Sequence, residues 1–252
     1  MKKVNLIPMA GAGKRFQEEG YTLPKPLILV DNKPMIVEAC NSLPGAEEWI
    51  FVCREEHLSQ SNLEEILKTT YPNSKIISIS YLTEGQATTC TLANSYIDDE
   101  SSLLIGPCDN GMTWNSERYE ALTSDPKVDA LIWTFRNNST VKRNPKMYGW
   151  VVTNGDKALK VSCKIPISEN PIQDHAIVGT FWFRKASYFK KGYESLYSKN
   201  RRINNEFYVD ELMNELIEDG LNVKVFEIDK YICFGTPSDL RTYNYWKDFF
   251  KV

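Results

Sequence analysis

Between Leu6 and Pro26 the chain reads LIPMAGAGKRFQEEGYTLPKP, and the residues suited to chemistry there are Gly11, Gly13, Arg15 and Lys25. A turn through Gly11-Ala12-Gly13 can take positive φ and bring backbone N–H groups against an anion such as a triphosphate. Arg15 offers a planar fork for phosphate oxygens and Lys25 a compact charge. The pair suits a phosphoryl group that gains negative charge as it is attacked. Two other glycine-loop patterns do not fit. A P-loop needs a glycine separated by four residues from Gly-Lys and then Ser or Thr, but Pro8 and Arg15 hold those positions. The dinucleotide fingerprint needs a third small residue, and Gly13 is followed by Lys14, Arg15 and Phe16.

Two further stretches carry polar groups at the exits of apolar runs. Gly85-Gln86-Ala87-Thr88 follows KIISISYL, so its carboxamide and hydroxyl can meet the edge of a base or simply cap a helix. Cys108-Asp109-Asn110 follows SLLIG and Pro107. Asp109 there is either a turn residue or a carboxylate at a sheet edge, where Mg²⁺ can be held together with substrate phosphates and water.

These residues need a scaffold that gathers strand ends. Continuous apolar runs at 49–53, 75–82, 102–106 and 129–135 suit strands covered on both faces, PLILV (26–30) reads as another strand, and helical spacing over 57–70 and 86–97 separates them. Pro34 opens a further helix through PMIVEACNSL. This alternation predicts an α/β fold with a parallel, doubly wound sheet whose ligand lies at the carboxyl ends of its strands. The loops after Ile7, Leu82 and Ile105 are expected to converge there. The second half differs: MYGWVVTNGDKALKVSC predicts a hairpin turning at Asn154-Gly155, HAIVGTFWFR a strand, 208–219 a helix closed by Gly220, NVKVFEI a strand, and the residues after Pro237 an aromatic helix. Asn137–Met147 is polar and basic without periodicity. It reads either as an exposed loop or as a lid carrying Lys142, Arg143 or Lys146 over phosphates.

The order G-x-G-x-R followed by P-K-P resembles the signature of the nucleotidyltransferase superfamily with a GT-A-like fold. The resemblance covers nearly the whole chain, closely over 3–37 and more loosely after 145. It implies a single Rossmann-like domain of mostly parallel twisted sheet flanked by helices, with a nucleotide-binding half (1–136) and a smaller mixed β/α acceptor-binding half (137–252). It also implies that the loop Met9, Ala10, Gly11, Ala12, Gly13 and Lys14 holds the triphosphate. Arg15 stabilises the leaving pyrophosphate and Lys25 contacts the α-phosphate. Gly85, Gln86 and Thr88 match the segment that selects the nucleobase, and Asp109 matches the metal-binding Asp of G-D-N, with Cys108 in place of its Gly. On the acceptor side Tyr148-Gly149 matches a Y-G element, Lys164 the Lys of E-K-P, and Gly179 a glycine-bearing strand.

Departures from the family pattern fall on that acceptor side. Cys163 replaces the Glu and Ile165 intervenes before Pro166. In YICFGTPSDL the Asp that often gives a second metal ligand is Cys233, a thiol poorly suited to Mg²⁺. The metal then relies on Asp109 plus phosphates, or another carboxylate such as Asp229 reaches in. The implied reaction is attack of an acceptor phosphate on the α-phosphorus of a nucleoside triphosphate, assisted by Mg²⁺. Sugar 1-phosphates are the usual acceptors. The chain also resembles the cytidylyltransferases of capsular phosphoramidate synthesis, which implies CTP and a phosphorylated small-molecule acceptor, L-glutamine phosphate. A nucleotide-binding module without catalysis is the contrasting expectation, and glycosyl transfer lacks its D-x-D because residue 107 is Pro.

Composition sets the outer bounds. At 252 residues, 42% hydrophobic and 25% charged, the chain suits one α/β domain with a full core. A formal charge of −3 gives no global pull toward nucleic acid or an anionic membrane. The N-terminal apolar stretch is too short for a signal peptide or a membrane span. Six cysteines without a C-x-x-C suit reduced thiols in the cytoplasm. The two histidines, His57 and His175, lack companions for zinc or nucleophilic chemistry. The oligomeric state stays open, a homodimer included.

Overall fold

Residues 1–250 are described by the computed structural model. The first half lays down β1 (Lys3–Met9), the short ribbon β2 (Leu29–Val30) and β3 (Lys33–Pro34), then β4 (Glu48–Arg54), β5 (Lys75–Ile79), β6 (Ser102–Ile105), β7 (Asn110–Thr113) and β8 (Ala130–Phe135). The second half adds β9 (Gly149–Asn154), β10 (Lys157–Cys163), β11 (His175–Phe183), β12 (Val223–Glu227) and β13 (Lys230–Cys233). Nine strands form one sheet in the order β5-β4-β1-β6-β11-β8-β12-β10-β9, while β13 pairs with β7 apart from it. Here β5, β4, β1 and β6 are parallel, as the apolar runs predict. Beyond β6 the sheet becomes mixed, as the resemblance implies for the second half: β11 runs antiparallel to β6 and β8, β12 parallel to β8, and β9 and β10 antiparallel to each other.

Strand periodicity decides which face each residue serves. In β1, Val4 and Leu6 enter one core and Ile7 and Met9 the other. The first core is closed by helices Gln86–Thr91, Ala186–Ser198 and Val209–Glu218, through Ala87, Cys90, Phe189 and Leu212. The second is closed by Met35–Asn41 and Leu63–Thr70, through Ile36, Leu63 and Leu67. All six residues of β8 are buried, each large side chain contributing about 1.5–3 kcal/mol. A third cluster joins Phe16, Ile28 and Val30 to Leu240 of the helix Pro237–Phe250.

Local departures have local causes. PLILV forms a 3₁₀ turn over Lys25–Leu27 and only the two residues of β2, because Pro24 and Pro26 fix φ and remove N–H donors. The helix expected over 57–70 divides into Glu55–Ser59 and Leu63–Thr70. The one expected over 86–97 stops at Thr91, ahead of a 3₁₀ turn at Asn94–Tyr96. Asn154 pairs with Lys157, so the β9–β10 turn lies at Gly155-Asp156, one residue later than its Asn-Gly signal suggests. The thirteen-residue helix Ala186–Ser198 carries no capping signal in the sequence, and its N-cap, Lys185, makes no side-chain cap. Asn137–Met147 folds as two short helical turns. Arg143 from that segment pairs with Asp239 at 3.1 Å, which ties the segment to the last helix.

Candidate active site

The loops leaving β1, β5 and β6 converge on one cleft of about 690 Å³, as the strand-end rule requires. Ala10 to Arg15 form one wall. Gly13 takes φ +66° and its carbonyl accepts from Phe16 N at 3.0 Å, so the loop ends as a one-turn helix with Lys14 and Arg15 at its start. Met9 does not face this cleft. Strand alternation sends its side chain into the second core beside Ile7, so only the loop beyond it is available to a triphosphate.

The opposite wall contains Thr83, Gly85, Gln86 and Thr89. Gln86 and Thr89 stand three residues apart on one helical face. Thr88 points elsewhere: its hydroxyl is 3.0 Å from that of Tyr193, and Thr89 takes its expected place on the wall. This wall is fastened to the second half of the chain. Phe207 N donates to Glu84 O at 2.7 Å and Ala87 N donates to Phe207 O at 3.0 Å. Gly85 sits inside that bracket at φ +116°, where a Cβ would stand 2.6 Å from Phe207 O.

At the floor, Lys25 Nζ donates to Asp109 Oδ2 at 2.6 Å, and Lys25 also lies 5.6 Å from the Phe16 ring centroid. Lys25 therefore meets the cleft through Asp109, which lines it. Burial disfavours both charges, yet each favours the other: the Lys25 pKa is raised and the Asp109 pKa lowered, with Arg15 adding to the latter. Both groups are charged at neutral pH. Asn110, next in sequence, donates from Nδ2 to Val178 O at 3.1 Å. That carbonyl belongs to a bulge in β11, where the register shifts between Ile177 and Phe181 and Gly179 takes φ +93°.

The bulge separates this cleft from an adjoining pocket of about 230 Å³. All four residues expected on the acceptor side, Tyr148, Gly149, Lys164 and Gly179, line that pocket, and Arg15, Gln86 and Asp109 line both spaces. Lys164 donates from Nζ to Met147 O at 2.6 Å and lies over the Tyr208 ring at 5.4 Å. Three residues that sequence reasoning missed, Glu206, Tyr208 and Asp210, complete the walls. They stand at the entry to the helix Val209–Glu218, where acidic residues are common for reasons of helix dipole alone, so their types carry no signal.

Antiparallel pairing of β13 with β7 puts Cys233 opposite Asn110, the residue after Asp109. Its thiol donates to Asp239 Oδ2 at 3.3 Å, and burial followed by that carboxylate pushes its pKa up to about 12. Cys233 is a neutral thiol at pH 7. Asp229 does not reach in, because it lies at the other end of the ribbon, 3.7 Å from Arg118. Among the described residues no three His, Cys, Asp or Glu side chains group as a metal site. His57 and His175 lie outside both spaces, His175 bonded to the Thr134 hydroxyl at 2.9 Å. All six cysteines are free. No helix among the described residues is long and apolar enough to cross a membrane.

Comparison with known proteins agrees with this architecture. A nucleoside-diphosphate-sugar pyrophosphorylase from Vibrio cholerae RC9 superposes with a TM-score of 0.77 at 21% identity, covering 95% of this chain and 98% of its own. An inositol-1-phosphate CTP transferase from T. maritima gives 0.74 at 16% identity, covering 100% and 97%. No curated protein sequence matches the chain. The family model described as nucleotidyl transferase matches residues 4–249, and the chain belongs to that family.

Proposed function

We propose that this chain transfers a nucleotidyl group from a nucleoside triphosphate to a phosphorylated small molecule, with CTP as the nucleotide and release of pyrophosphate. The observation that carries the reading is the Lys25–Asp109 pair and Arg15 at the junction of two contiguous spaces, one walled by a glycine loop and the other by Lys164. A phosphate oxygen of the acceptor attacks the α-phosphorus, the bond to the bridging oxygen breaks, and pyrophosphate leaves with the electron pair. The acceptor oxygen is already anionic at neutral pH, so no protein base is required. Lys25 has three N–H donors, one of them spent on Asp109, and in this reading its charge reaches the α-phosphate from beside that carboxylate. Arg15 neutralises charge on the leaving group, and the amides of the loop orient the triphosphate.

Mg²⁺ fits the donor set as a single-carboxylate ion. Asp109 lies on the cleft, and the missing Cβ of Gly235, which would stand 2.8 Å from Asp109 Oδ2, leaves room beside it. Mg²⁺ is commonly held by one or two carboxylates with phosphates and water, and when bound it would neutralise charge on the triphosphate. For the acceptor, L-glutamine phosphate is our specific reading, supported by the altered Cys163-Lys164-Ile165 and Cys233 positions. A sugar 1-phosphate is the second reading, favoured by the similarity to the Vibrio cholerae pyrophosphorylase. The T. maritima CTP transferase supports a cytidine nucleotide.

Pyrophosphate release with Mg²⁺ tests this, across CTP, UTP, GTP, ATP and dTTP against L-glutamine phosphate, phosphocholine and sugar 1-phosphates. Release with CTP and L-glutamine phosphate is expected. Release only with a sugar 1-phosphate would select the second reading, and nucleotide binding without release from any pair would replace catalysis by a binding role.

A further inference from the structure

Asp210 is the one carboxylate on the acceptor pocket whose charge the protein does not pair. Its residue is 8% exposed, and its side chain lines the pocket between Gly149 and Tyr208. Gly149 has no Cβ because one would stand 2.0 Å from Asp210 Oδ2, so the carboxylate rests directly against the strand backbone. Among the described residues no side chain forms an ion pair or hydrogen bond with it, and its own backbone N–H is the one group that donates to it. Lys164 is the nearest compensating charge, but Lys164 Nζ is bound to Met147 O at 2.6 Å and faces the Tyr208 ring. Asp109, the other acid on this pocket, is neutralised by Lys25.

A buried carboxylate without an ion-pair partner is costly, and one that lines a pocket is placed to take its partner from a ligand. Its surroundings narrow the kind of ligand. Tyr148, Tyr208 and Tyr231 line the same small pocket, an aromatic surrounding that suits a cation. Lys164 and Arg15, on the same pocket, suit the phosphate of the same molecule. A neutral hydroxyl could donate to Asp210 but would leave its charge uncompensated.

We propose that the acceptor bears an ammonium group as well as its phosphate, and that Asp210 receives the ammonium. The inference rests on the nucleotidyl-transfer reading above and names the substrate class of that site. It excludes plain sugar 1-phosphates as the preferred acceptors.

Calorimetric titration with phosphoethanolamine and n-propyl phosphate isolates the ammonium, since the two differ mainly in exchanging it for a methyl group. Both are titrated into the protein holding Mg²⁺ and a non-hydrolysable CTP analogue. Wild type is expected to bind phosphoethanolamine at least tenfold more tightly, and Asp210→Asn, which keeps the side-chain shape, to lose on the order of a hundredfold in that affinity alone. Equal affinity for the two probes, or an unchanged preference in Asp210→Asn, overturns the inference. So does binding of glucose 1-phosphate alone. Failure of both probes while the nucleotide analogue still binds overturns the inference and spares the broader reading; failure of the nucleotide itself overturns the broader reading.

Discussion

The cleft walled by the glycine loop and the pocket beside it share Arg15, Gln86, Asp109, Asn110, Val178, Gly179 and Tyr208, yet they are built differently. The cleft is made mainly of segments that each leave the carboxyl end of a parallel strand, so backbone groups of short contiguous stretches form its walls. The pocket is assembled from residues near 148, 164, 178, 208 and 232, carried by antiparallel strands and a helix start. Backbone-built sites constrain residue type strongly, because glycine and proline are demanded by geometry. Side-chain-built sites are free to change their chemistry while the strands stay in place.

Substitutions sharpen this contrast. The largest effect is expected from Lys25→Ala, which should lower turnover about a thousandfold while the melting temperature shows an intact fold. Retention of most of the rate would break the assignment of the shared floor. Next, Gly85→Ala places a Cβ against Phe207 O in a left-handed backbone, so nucleotide affinity and stability should fall together, the latter by roughly 1–3 kcal/mol. A loss of stability without a change in nucleotide Kd would show that the bracket between the halves does not shape the cleft.

A smaller effect of opposite sign is expected at Asp210. Burial raises its pKa above the ordinary 3.8, so the native state holds more protons than the unfolded chain between the two values, and stability falls as pH rises through them. Asp210→Asn should therefore raise the melting temperature at pH 7 by a few degrees, with the gain vanishing below about pH 3.8. A drop at pH 7 would mean the carboxylate is a structural asset. Smallest is Thr88→Val, which removes the hydroxyl facing Tyr193 at a cost of about 1 kcal/mol. Its choice among nucleoside triphosphates should not change, and a changed preference would return Thr88 to the wall now assigned to Thr89.

Most residues named from sequence line one of the two spaces, for reasons visible at single residues. Gly13 was legible because a tight turn calls for a residue free to take positive φ, whereas Gly85 was reached through the family resemblance; both take positive φ. Tyr148, Gly149, Lys164 and Gly179 were found through family resemblance alone. Asp210 and Tyr208 escaped because an acid and an aromatic at a helix start have ordinary structural explanations. Met9 and Thr88 were also assigned through the family resemblance, and strand and helix periods turn their side chains toward the second core and toward Tyr193.

Residue order alone was enough to read the parallel first half and the strand-to-loop order that brings Gly11, Arg15, Gln86 and Asp109 to one edge. Those features follow from hydrophobic runs, glycine and proline placement, and charge, all of which act over a few residues. Long-range pairing settled that β11 enters antiparallel, that its bulge divides the two spaces, and that Asp210 is left without an ion-pair partner. Each depends on which distant backbone lies alongside, through strand pairing and desolvation, and neither force leaves a local mark on residue order.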